Sequence, residues 1–119
     1  MIYHIISVNE WEKAKQEGAY APNSLSNEGF IHCSTEKQVT GVANSLYKGR
    51  TDLIVLEIAE DQVDANIVYE DLYSLNQLFP HIYGVLNVNA VTKLYQFQPD
   101  LKGEFIFEAD KANEITMND

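Results

Sequence analysis

From Ile2 to Val8 the chain alternates, with Ile2, His4, Ile6 and Val8 on one side and Tyr3, Ile5 and Ser7 on the other, the two-residue period of a strand. A histidine therefore shares a face with aliphatic side chains. Asn9 and Glu12 have the spacing of a helix cap with a first-turn carboxylate. They predict a short helix that turns Trp11 and Ala14 inward and stops at Gly18. "APNSLSNEG" reads as loop. Phe30 to Cys33 reads as a short buried strand, and Thr35 with Gln38 makes a capping-box pattern ahead of Val39, Val42, Ala43, Leu46 and Tyr47 at helical spacing, closed by Gly49. Leu53 to Ala59 is apolar and branched, which predicts a strand. Asn66 to Tyr73 alternates as another strand, with Val68, Glu70 and Leu72 on one face and Ile67, Tyr69, Asp71 and Tyr73 on the other. "AVTKLYQFQ" predicts a partly exposed strand, and "GEFIFEA" adds a further one. Two main helices interrupting several strands, with strands dominating the second half, give an α+β class.

A chain of 119 residues with 45% apolar content suits one domain with one core. That domain is placed at residues 1–110, with 111–119 as a polar, fraying tail. The formal charge of −10 repels phosphate backbones and anionic lipid surfaces, which argues against nucleic acid and membranes as partners. With a single cysteine, Cys33, no intrachain disulfide or thiolate metal cluster forms, and a reducing cytoplasm is the expected location. "MIYHIISVNEWEK" has no basic stretch followed by a long apolar one, so a secretory signal is not expected. Ser74 to Thr92 contains no Asp, Glu, Lys or Arg, yet its Asn, Gln, Pro and His residues argue against a membrane span. That run is expected to fold against the interior or line a cleft.

The candidate chemistry rests on three histidines and one carboxylate. His4, His32 in "EGFIHCST" and His81 in "FPHIYG" each place a ring with two nitrogens to satisfy among apolar neighbours. The ordinary reading of each is a structural histidine bonded to a backbone carbonyl. Glu70 falls on an aliphatic face, where an ionised carboxylate needs partners unless an edge strand leaves it wet. Glu57 raises the same question near a strand end, where it is expected to reach water. Three histidines plus Glu70 are also the raw material of a divalent-metal enzyme, although no His-x-His or His-x-x-x-His pair is present. Cys33 sits on the opposite strand face from His32 and reads as a small core residue, not an activated nucleophile. Tyr83 and Gly84 read as a turn with an aromatic face.

Several separated segments in order, "IYHI", Trp11, "SLSNEGFIHCST", "VAN" with "LY", "VYED" and "FPHIYGVLNVNAV", resemble the bacterial DUF952 family over about residues 1–100. That family brings no reaction to carry over. It is in turn similar to the ADP-ribosyltransferase fold, which implies a small, mixed, split β-sheet core around a cleft that holds NAD. In that fold a polar residue comes from an early strand, an aromatic or histidine from a strand before a helix, and a carboxylate from a later strand. His4, His32 and Glu70 follow that order. The resemblance implies Glu70 and His32 as catalytic groups of an ADP-ribosyl transferase or NAD glycohydrolase. It implies His4, His81 and Tyr83 at the ligand, Ser34 and Thr35 near its phosphates, and NAD as substrate instead of a resident cofactor. Few basic residues are present to hold a dinucleotide, Lys37 being the nearest. A non-catalytic interaction module that uses Ser74 to Thr92 is the remaining alternative.

Overall fold

The computed structural model describes residues 1–117; positions 118–119 of the expected tail lie outside them. Strand β1 (Ile2–Ser7) pairs antiparallel with β4 (Leu53–Ile58), which pairs with β8 (Val91–Gln96), and β9 (Glu114–Ile115) adds to β8. Both faces of this sheet are covered, as the long apolar run of β4 requires. On one face Ile2, Ile6, Ile54, Leu56, Ile58 and Leu94 pack with Trp11 and Ala14 of α1 (Val8–Glu17). On the other, Tyr3, Ile5, Leu53, Val55 and Tyr95 pack with Val39 and Ala43 of α3 (Glu36–Leu46) and with Phe105 and Phe107.

A second sheet runs in the order β3 (Ile31–His32), β6 (Phe79–Tyr83), β5 (Asn66–Glu70). Its registers, Ile31 opposite Ile82 opposite Ile67 and His32 opposite His81 opposite Val68, divide it by chemistry. The isoleucine face joins the core of the first sheet, so the histidine face points outward. A two-stranded ribbon of β2 (Ala19–Tyr20) and β7 (Leu86–Asn87) closes one end. The class is therefore a small α+β mixture of antiparallel sheets with three helices.

Several boundaries differ from expectation for identifiable reasons. Helix α1 begins two residues early because Ser7, not Asn9, is its cap: the Ser7 hydroxyl accepts from Glu10 N–H at 3.1 Å and donates to the Glu10 carboxylate at 2.9 Å. The expected loop at 21–29 holds a third helix, α2 (Asn23–Glu28), which buries none of its residues and so leaves no apolar period to read. It ends where Gly29 takes φ 90° and donates to the carbonyls of Ser24 and Leu25. Helix α3 has the expected capping box but stops at Leu46, before Gly49. Strand β5 stops at Glu70 because the Asp71 carboxylate caps the N–H groups of Leu75 and Asn76 and turns the chain. Tyr83, read with Gly84 as a turn, is the last residue of strand β6 (Phe79–Tyr83).

The segment 103–109 is not a strand. Its backbone is held by α3 side chains instead: Asn44 Oδ1 accepts from Phe105 N–H at 2.7 Å and Thr40 Oγ1 from Phe107 N–H at 2.9 Å, while both rings enter the core. Glu57 does not reach water. It is 7% exposed, and its carboxylate accepts hydroxyls from Thr92 at 2.8 Å, Tyr95 at 3.1 Å and Tyr3 at 3.2 Å. These three donors offset its desolvation without a cation. No described helix is long and apolar enough to cross a membrane.

Candidate functional site

The two sheets meet through a single bridge, in which Tyr3 and Ser34 exchange both backbone hydrogen bonds at 2.8 Å. Beyond it β1 and β3 part, and a cleft of about 820 Å³ opens between the strands, the outer face of α3 and the segment 73–79. That volume is in the range of small-molecule sites. His4, His32 and His81 all line it.

His4 fastens the cleft where the sheets separate. Its Nδ1 lies 2.6 Å from the carbonyl oxygen of His32, and its Nε2 lies 2.8 Å from the Tyr20 hydroxyl. A carbonyl can only accept, so the proton sits on Nδ1 and the tyrosine donates to Nε2. Desolvation dominates this ring and lowers its pKa to about 4, although the bond to His32 acts in the other direction. It is neutral at pH 7. Burial likewise pushes the Tyr20 phenol well above its ordinary value.

The outward face of the second sheet carries a paired arrangement. His81 Nδ1–H donates to Glu70 Oε2 at 2.8 Å, and the same oxygen accepts the Tyr83 hydroxyl. His32 Nε2–H donates to Glu28 Oε1 at 2.9 Å, and Glu28 Oε2 accepts the Tyr73 hydroxyl at 2.6 Å. Two imidazole–carboxylate–phenol sets thus converge, with His32 and His81 edge to face at 5.4 Å between ring centres. Phe30 joins them, stacked on His81 at 4.1 Å and edge-on to His32 at 4.8 Å. The hydrogen bonds from Tyr83 and then His81 hold the Glu70 carboxyl below its usual range, and those from His32 and then Tyr73 do the same for Glu28. Both carboxylates are ionised near neutrality.

The two rings differ in access. The His81 side chain is 2% exposed, whereas that of His32 is 42% exposed. Among the described residues only Trp11 Nε1 is both sealed from solvent and unpartnered, so the unbonded His81 Nε2 opens onto the cleft its ring lines. With Nδ1–H committed to Glu70, a neutral His81 presents a lone pair there, and a protonated one presents a donor.

The other expected site residues fall in different places. Ser34 lines the cleft, but its backbone N–H and carbonyl are spent on Tyr3. Thr35 does not line the cleft, and its N–H is used on Gln38 Oε1 in the α3 capping box. Glu70 and Tyr83 stand behind His81 and do not line the cleft, so they act on a ligand only through that ring. Glu28, Phe30, Tyr73 and Tyr20 were not singled out by the sequence. The spacing of Glu28 and His32 was a usable signal, hidden because α2 read as loop. Tyr73 was read as the end of a strand over 66–73 but lies beyond β5, in the loop that precedes β6, and carries no local signal.

Chemistry at the other candidates is limited. Among the described residues no group of three or more His, Cys, Asp or Glu side chains is arranged to hold a metal ion. The imagined set of three histidines with Glu70 fails because His4 spends both nitrogens on protein partners, while Glu70 meets His81 at Nδ1. Cys33 is free and buried, and burial pushes its thiol well above the ordinary range.

A family model described as "Protein of unknown function (DUF952)" matches residues 5–94. The chain belongs to the DUF952 family. The match contains both imidazole–carboxylate–phenol sets of this DUF952 protein, and His4 lies one residue before it. The crystal structure of protein CC0527 from Caulobacter crescentus is similar at 29% identity and a TM-score of 0.78, over 88% of this chain and 92% of that one. The solution NMR structure of CC0527 gives 28% identity and a TM-score of 0.65, over 87% and 89%. A comparison with curated proteins gives no match.

Proposed function

We propose that this DUF952 protein binds a nucleotide-like small molecule, such as NAD, ADP-ribose or a related ribosyl metabolite, in the cleft between its two sheets. The observation that carries this reading is the His81 ring, fixed at Nδ1 by Glu70, open at Nε2 to the cleft, and set edge to face with His32, on which Tyr73 stacks in turn. Aromatic walls with a few convergent polar groups suit a flat base joined to a hydroxylated sugar. The order of His4 on the first strand, His32 on a strand before a helix and Glu70 on a later strand agrees with the ADP-ribosyltransferase pattern and supports the same choice.

A transferase or glycohydrolase step at the ribosyl carbon is the catalytic extension of this reading. In that step the ionised Glu70 acts through the His81 ring, which it orients at Nδ1 toward the ligand. Glu70 is then a positioning residue. Calorimetry with NAD and with ADP-ribose tests the binding claim. Saturable heat that disappears in His81→Gln is the expected result, and no heat at millimolar ligand overturns it.

One observation favours a second reading. Leu72, Leu75 and Leu78 are each more than half exposed beside the cleft, which is apolar surface suited to a protein partner. An interaction module of this kind forms a stable complex that Leu75→Ser and Leu78→Ser abolish together and Glu70→Gln leaves intact.

A further inference from the structure

The cleft contains few fixed cations for a ligand that carries phosphate. Lys37, one residue before Gln38 in the first turn of α3, is the only Lys or Arg among the residues that line it. Gln38 donates to the carbonyl of Leu78 at 3.0 Å, which places this turn against the segment that leads into β6 and the histidines. The carboxylate that lines the cleft, Glu10, accepts from Ser7 and acts on His4, Tyr20 and Tyr47, toward the opposite end of α3. Glu10 therefore stands away from the histidine end, where the two carboxylates present, Glu28 and Glu70, are bonded to the histidine rings.

We infer that His32 and His81 together form an anion subsite, which takes a phosphate or similar tetrahedral oxyanion of the ligand between Nδ1 of His32 and Nε2 of His81. This deepens the reading of the cleft as a nucleotide site and rests on it. Three features favour an anion at this place. Each ring has one nitrogen committed to an ionised carboxylate, which fixes the ring and leaves its other nitrogen without a protein partner among the described residues, and both rings line the cleft. The His81 side chain is 2% exposed and its free nitrogen has no protein partner among the described residues, so only what enters the cleft reaches it. The two carboxylates are on the far side of the rings, where they balance imidazolium charge without blocking the approach of an anion. Two protonated rings then offer two charge-assisted N–H donors from adjacent strands, a rigid platform for neighbouring oxygens of one oxyanion.

The groups that face this pair are Glu70 and Tyr83 from β5 and β6, Glu28 from α2, Tyr73 from the loop between β5 and β6, His4 from β1 and Lys37 from α3. His4 is already spent on its two protein partners. Anion binding draws on the imidazolium form of both rings and is strongest where that form is present, while His4 has no free nitrogen to offer.

Histidine ring NMR with sodium sulfate tests this directly, because sulfate keeps its charge from pH 5 to 8 and chloride can hold the ionic strength constant. At pH 6 the His32 and His81 ring signals shift and saturate, the His4 signals do not, and affinity falls about tenfold by pH 8, as expected for loss of a charge-assisted bond. His32→Gln and His81→Gln each weaken sulfate about tenfold by the same reasoning. Lys37→Gln, an exposed substitution that leaves the fold alone, weakens it about threefold, the scale of a solvent-exposed charge. An absent shift at pH 6, an equal affinity at pH 8, or an equal response at His4 overturns the inference. Adenosine, titrated in parallel, separates the two claims. Adenosine binding without sulfate binding sinks the anion subsite but keeps the cleft reading. Sulfate binding on a protein that ignores NAD, ADP-ribose and adenosine keeps the subsite and sinks the nucleotide reading.

Discussion

The neutral state of His4 is written into the stability of the fold and can be measured there. An unfolded histidine titrates near 6.5, whereas desolvation lowers the His4 pKa to about 4. Between those values the unfolded chain binds more protons than the folded one, so stability rises with pH across the window. The contribution is complete above the unfolded value and is lost as pH falls toward 4. Integrated from pH 8 down to pH 5, the loss is about 2 kcal/mol, an upper figure because the half-buried ring keeps an edge on the cleft. His4→Gln removes the titration together with the bonds to His32 and Tyr20, so the variant is less stable at pH 7.5. The gap to the parent then narrows by up to about 2 kcal/mol by pH 5. Glu28, Glu70 and Asp52, whose carboxyls also lie below their ordinary range, are present in both proteins and cancel in the difference. Urea unfolding of the pair at pH 7.5, 6 and 5 reads the effect. A gap that stays constant or widens toward pH 5 refutes the burial of a neutral ring at this position.

Tyr20→Phe leaves His4 Nε2 without its donor and costs about 1–3 kcal/mol, which calorimetry reads as a melting temperature several degrees lower; an unchanged melt means water replaces the hydroxyl freely. Glu70→Gln keeps the side chain's shape while removing its charge, so any ribosyl-transfer turnover falls by about two to three orders of magnitude while ligand affinity moves far less. A Glu70→Gln protein that melts several degrees lower and also loses its ligand makes the residue structural. Cys33, buried with its thiol pushed up, resists a disulfide reagent in the native protein at pH 8 and reacts at once in urea; prompt native reaction contradicts that burial.

How much the sequence disclosed depended on whether each signal was local. β4 was legible because six of the seven residues from Leu53 to Ala59 are apolar, Glu57 being the exception, which leaves little alternative, and α3 because its cap and its apolar period agree. α2 was hidden because a six-residue helix that buries nothing needs only Pro22 before it and Gly29 after it, and those signals also mark loops. Phe105 and Phe107 alternate like a strand, yet their backbone partners are Asn44 and Thr40, distant in sequence, which no local pattern encodes. The histidines were rightly picked out as rings needing partners. What could not be read was which partner each would find, since Glu28 and Tyr73 reach His32 from opposite sides of its strand in the sequence. Glu70 was found as a buried-face carboxylate but given direct contact with a ligand. The diagonal offset between β5 and β6 turns it toward His81 instead.

The central claim is that one cleft, opened where β1 and β3 part, receives a nucleotide-like ligand at His32 and His81. Amide and ring chemical-shift mapping with ADP-ribose tests it most directly. The account predicts saturable shifts concentrated at His32, His81, Tyr73, Lys37 and Gly41, with Glu114 and Ile115 of β9, at the edge of the first sheet farthest from β1, unmoved. Shifts absent at millimolar ligand, or spread over β8 and β9 and missing from the two histidines, contradict it.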